Sequence, residues 1–169
     1  MYELIVRLFD ICRFKKGPED LPYSLTMLKI LAAAFAAVRV LMHYRGDNVL
    51  GAVFEAAAEV GYIGLFSGVM LRANRHLNRY YQVAGAFFGC FALIGFIAWP
   101  AAAMLVTGQS GGLAFMLLLG FIVWLCAVTA HIVYHALAPD VLVSLGWALA
   151  FLVGFVLLSM SSGHVDGIG

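Results

Sequence analysis

The sequence predicts an all-α, polytopic membrane helix bundle, with about five transmembrane helices preceded by an amphipathic interfacial helix. Three observations carry this. Apolar residues fill 64% of the 169 positions, and Asp, Glu, Lys and Arg only 11%, against roughly 45–50% and ~25% in soluble domains. Apolar runs recur at the ~20 residues that a helix needs to cross a bilayer core. The basic residues gather in short segments between those runs. A mean hydropathy of +0.98 agrees.

Taken in order, the first 14 residues differ from the rest. Glu3, Arg7 and Asp10 recur at spacings of four and three, which places them on one helical face. Leu4, Ile5, Leu8, Phe9, Ile11 and Cys12 cover the remainder. Two compatible readings follow: a helix lying in the membrane surface, or one packed on the protein's own spans. The same polar residues break the first apolar stretch, so no cleavable signal peptide is expected. Next, Pro18 and Pro22 stop any helix, and Ser24 is placed to cap the first span.

The whole chain, 1–169, reads as a single integral membrane domain. Spans are expected near 24–44, 48–71, 80–106, 113–136 and 140–160. A four-span layout with a re-entrant segment follows instead if the stretch Ala136–Asp140 does not turn. Pro100 is expected to kink the third span. Gly64 and Gly68 form one GxxxG, and Gly85 and Gly89 another. Small residues let membrane helices approach closely, and the short loop at 72–79 suggests that these two faces touch. Span one carries its own small-residue face at Ala32, Ala33, Ala36 and Ala37. No internal repeat of the inverted-transporter kind is evident.

Orientation follows from Lys and Arg. Arg7, Arg13, Lys15 and Lys16 precede the first span, and Arg72, Arg75 and Arg79 follow the second. Both segments then lie on the cytoplasmic side, which leaves Arg45 and, with five spans, the C-terminal tail on the other. The net charge of +1 points to no nucleic-acid partner. Cys12, Cys90 and Cys126 form no C-x-x-C and imply neither a disulfide framework nor a zinc site.

The segment Gly17-Pro18-Glu19-Asp20-Leu21-Pro22-Tyr23-Ser24 resembles the opening of small polytopic inner-membrane proteins of proteobacteria, which follow a basic interfacial helix with a G-P-x-D-L-P-x-S turn. The resemblance implies a bacterial inner-membrane location and no particular activity. The five-span, N-inside layout is also similar to that of Yip-type membrane proteins, although their D-L-Y-G-P motif is absent.

Few residues are candidates for chemistry. Glu55 and Glu59 stand four apart, on one face of the second span. A charge at the bilayer centre costs about 2.5–3.5 kcal/mol on insertion scales, so partners are expected. Arg39 and His43 on the first span supply them. Counting from the turn between the spans, Arg39 and Glu55 reach similar depth, roughly 8–10 Å inside the boundary. The expected ion pair is therefore Arg39–Glu55. Glu59, deeper, is left as a protonated carboxyl suited to a proton or cation site, or as a contact to another protein.

His131 and His135 share a face at i, i+4, a spacing that can chelate a metal. No H-E-x-x-H accompanies them and they fall near the cytoplasmic end, so two interfacial histidines are the simpler reading. Haem or metal stays open there, and no other cofactor is predicted. Arg72, Arg75 and Arg79 suit an anionic lipid or phosphate contact, or simply anchor orientation. Lys29 is expected to snorkel to the membrane surface.

Three function classes remain. The first is an accessory or assembly component of a membrane complex, with a membrane-protein partner or a second copy of itself. The second is a small oligomeric transporter or channel that uses Glu55 and Glu59. The third is a redox subunit binding haem or metal.

Overall fold

The computed structural model describes residues 2–43, 49–106, 111–137 and 140–162. Among these residues six helices follow one another: α1 (Tyr2–Cys12), α2 (Leu25–His43), α3 (Val49–Ala73), α4 (Tyr80–Val106), α5 (Gly111–Leu137) and α6 (Val141–Ser162). Single 3-10 turns lie at Pro18–Asp20 and Leu77–Arg79. No strand occurs among the described residues. The helices α2 to α6 are long and apolar enough to cross a membrane, so there are five candidate spans, rather than four, among the described residues. Arg45, the Ala138–Pro139 junction and the tail from 163 onward lie outside the described residues.

The span ends have local causes. Ser24 Oγ accepts from the Met27 amide at 3.4 Å and caps α2. Helices α1 and α3 both end in a left-handed residue, Phe14 (φ 61) and Arg75 (φ 60). In each case two amides turn back onto the last carbonyls: Lys15 to Asp10 and Phe14 to Ile11, then His76 to Leu71 and Arg75 to Arg72. That paired pattern is the Schellman ending, which normally places glycine at the left-handed position. Pro100 lies inside α4, and the helix continues through it to Val106.

Helix α4 is the hub. Every residue from Val83 to Ala92 is buried, as expected of a helix that is apolar all round and enclosed by protein. It packs on α1, α2, α3 and α5, and α6 reaches it through aromatic rings. Phe151 of α6 stacks on Phe87 at 5.7 Å between centroids, and lies 5.3 Å from Phe91 and 4.9 Å from Phe66 of α3. Tyr62 on α3 donates to the Phe151 carbonyl at 2.8 Å. A Cβ at Gly154, one turn on, would overlap the Tyr62 hydroxyl.

Helix α1 packs on the bundle. Leu8, Ile11 and Cys12 are buried against α4 and α5. A Cβ at Gly89 would overlap the Leu8 side chain. Cys90 Sγ donates to the Leu8 carbonyl at 3.8 Å, and the Trp124 indole donates to the Cys12 carbonyl at 3.0 Å. The polar stripe meets the following segment: Arg7 donates to the Asp20 carbonyl at 2.7 Å, and Asp10 lies 3.4 Å from Lys16. Tyr2, Ile5, Val6 and Phe9 remain exposed.

The expected contact between the two GxxxG faces does not form. Tyr80 lies over Gly64 and Gly68, and its hydroxyl donates to the Gly64 carbonyl at 3.3 Å. Gly85 faces Leu31 of α2, and Gly89 receives Leu8. The glycines admit large side chains from neighbouring elements instead of letting α3 and α4 meet backbone to backbone.

Candidate functional site

The C-terminal half of α2 and the N-terminal half of α3 bring four ionisable side chains together. Arg39 projects from α2 toward Glu59 of α3, with Nε donating to Oε2 and Nη2 to Oε1. This is the two-point fork that a planar guanidinium makes with a carboxylate. Glu59 is almost wholly buried, its side chain 3% exposed. His43, one turn beyond Arg39, links the rest. Its Nδ1 lies 2.7 Å from Glu55 Oε2, and its Nε2 lies 3.0 Å from Arg39 Nη2 and 3.3 Å from Glu59 Oε1.

The pairing corrects the expected Arg39–Glu55 bridge: Arg39 holds Glu59, and Glu55 is held by His43. Depth counted on backbone positions treats side chains as points. Arginine is long enough to reach one turn further, and it stays charged in every environment. The most buried carboxylate therefore takes the permanent cation, and the shallower one takes the imidazole.

The His43 geometry permits two proton arrangements. With Nδ1–H donating to Glu55, Nε2 is free to accept from Arg39. With a second proton, Nε2 donates to Glu59 instead. Counting Glu55 and Glu59 as ionised, the network carries one net negative charge in the first case and none in the second.

Sequence patterning missed the role of α6 here. The Phe155 ring lies 5.4 Å from the Arg39 guanidinium carbon, a cation–π arrangement. Among the described residues Nη1 has only a thioether partner, Met42 Sδ, at 3.7 Å. No periodic signal marks a phenylalanine in an all-apolar helix as the one beneath a cation.

The histidine pair is a second, separate cluster. His131 and His135 lie 4.5 Å apart between ring centroids. His131 Nε2 contacts the Lys16 carbonyl at 2.9 Å, and His135 Nδ1 contacts Glu19 Oε1 at 3.0 Å. Phe14 packs edge-on against His131. Both rings thus bind the segment between α1 and α2 to α5. Among the described residues no three His, Cys, Asp or Glu side chains gather where a metal ion could sit. Arg72, Arg75, Arg79 and Lys29 are exposed, and no ion pair engages them among the described residues.

The fold and site define a class: a multi-pass α-helical membrane protein with an ion network inside its bundle. Comparison with protein-family models, with curated proteins and with solved structures finds no match.

Proposed function

We propose that the chain is a non-catalytic accessory or assembly component of a membrane complex, in a bacterial inner membrane with its N-terminus cytoplasmic. The observation that carries this reading is the closed Arg39–Glu59 fork. A carrier needs a charged group that exchanges its partner for cargo. Glu59 is instead held at both oxygens by a cation on the neighbouring helix, which suits a permanent brace. The exposed arginines at the α3–α4 turn support the orientation. The apolar outer face of α1 supports contact with lipid or a membrane-protein partner.

A second reading has one observation of its own. His43 bridges Glu55 and Glu59, and a change in its protonation would move the network charge by one. That favours a proton-linked transporter or channel over the haem or metal reading. His131 and His135 spend their contacts on Lys16 and Glu19, which supports a structural role.

The test is purification from native membranes in mild detergent, with mass spectrometry of companions. A stoichiometric membrane protein is the expected result. A homo-oligomer without companions, showing proton-coupled flux that Glu59→Gln abolishes, would overturn the accessory reading in favour of transport.

A further inference from the structure

A cavity of about 280 Å³ lies beside Arg39, between α2, α4, α5 and α6. Apolar cavities of roughly half that size hold a benzene ring. The walls are apolar, with Phe35 and Phe91 among them, and the polar groups that line it are Arg39 and Ser159. Ile122 of α5 and Val156 of α6 also line it, and they are 53% and 51% exposed. The mouth therefore opens on the seam between α5 and α6, toward whatever surrounds the bundle. In a membrane protein that is lipid.

Two features select the occupant. Among the described residues Arg39 Nη1 donates only weakly, to a thioether, so it favours an incoming oxygen acceptor. The guanidinium is already neutralised by Glu59, and Glu55 lies close by, so an anionic head is disfavoured and a neutral carbonyl is not. Depth agrees. Helix α2, at 1.5 Å per residue, is about as long as the ~30 Å hydrocarbon core is thick. Arg39 lies one turn inside its end, and its guanidinium also contacts His43, the last residue of the helix, at 3.0 Å. Ester carbonyls of bilayer lipids lie at that boundary.

We propose that this cavity binds one acyl chain of a bilayer phospholipid, entering between α5 and α6, with its ester carbonyl accepting from Arg39. The Phe-lined cavity holds the chain and the guanidinium fixes its depth.

The test is native mass spectrometry of the full chain in detergent doped with a zwitterionic diacyl phosphatidylethanolamine. The expected result is one retained lipid, lost at least fivefold on Ala98→Phe, which fills the cavity. Ile122→Trp, which narrows the mouth from an exposed position, is expected to lower retention as well, and it keeps the test valid if Ala98→Phe does not fold. Leu142→Phe, on an exposed face of α6 away from the cavity, is expected to leave retention unchanged. The ether-linked analogue, lacking ester carbonyls, is expected to bind about tenfold more weakly. Retention equal in wild type, Ala98→Phe and Ile122→Trp overturns the site. Equal binding of ester and ether lipids overturns the Arg39 contact, and displacement of phospholipid by an added isoprenoid quinone overturns the choice of occupant.

Discussion

Leu8 occupies the space that a side chain at position 89 would need. The contact joins α1 to the middle of the hub helix, and it makes two glycines of one motif unequal. Gly89→Ala gains about 1 kcal/mol of helix propensity but forces Leu8 out, an overpacking cost of roughly 1–3 kcal/mol. At Gly85 the nearest atom, Leu31 Cδ1, would lie 3.6 Å from the new methyl group, an ordinary contact. Gly89→Ala is expected to speed proteolysis and hydrogen exchange in α1, and Gly85→Ala is not. Equal protection of α1 in both variants would show that Leu8 is not what seats it.

The Arg39–Glu59 fork makes a double-mutant prediction. Arg39→Ala leaves a buried carboxylate without its cation and is expected to cost about 3–5 kcal/mol. In a cycle with Glu59→Gln the coupling should be on the order of 2–3 kcal/mol, and with Glu55→Gln smaller by at least about half. Reversible unfolding in mixed micelles measures both. A larger coupling to Glu55 would restore the pairing expected from backbone depth.

Gly154 and Gly146 give a matched pair on α6. A methyl group at 154 meets the Tyr62 hydroxyl, whereas one at 146 has nothing within 4 Å. Gly154→Ala is therefore expected to lower the thermal midpoint and Gly146→Ala to raise it slightly. Adding Tyr62→Phe to Gly154→Ala should recover part of the loss. Failure of that rescue would place the strain elsewhere.

Phe151 is fully buried among rings from α3 and α4. Its truncation to alanine leaves a cavity that close-packed neighbours fill poorly, at about 3–5 kcal/mol. Phe151→Leu should cost less than half as much. The comparison is readable as detergent-resistant unfolding midpoints, and equal losses would count against a packed ring cluster.

Arg75 holds a left-handed backbone without the freedom of glycine. The residue is exposed, so Arg75→Gly removes that strain at little other cost and is expected to stabilise by up to about 1 kcal/mol. Phe14→Gly relieves the same strain but loses the ring packed on His131, and it should gain less. A loss of stability in Arg75→Gly would mean that the arginine side chain contributes more than the turn costs.

The spans were legible because the bilayer imposes their length: the described helices Leu25–His43 and Val49–Ala73 fall within two residues of the windows read at 24–44 and 48–71. The membership of the ion network was legible too, since charges in apolar sequence must find each other. Who pairs with whom was not, because the reach of Arg39 exceeds a helical turn and hydropathy has no term for it. The fates of Gly64, Gly68, Gly85 and Gly89 were equally hidden. A small residue announces space, but nothing local says whether a helix, a tyrosine or a leucine will fill it. The role of Phe155 beneath Arg39 depended on how α6 rotates, which a uniformly apolar helix does not encode.

The seat of α1 carries a consequence for synthesis. Trp124 bonds to Cys12 across 112 residues of chain. At translation rates of about 5–20 residues per second, α1 waits roughly 6–22 s before its binding groove on α4 and α5 exists. Until α4 is made, the apolar side chains of α1, Leu8 and Ile11 included, have no groove to cover them. A helix made early and seated late needs other cover for its apolar face in the meantime, and a membrane surface would supply it.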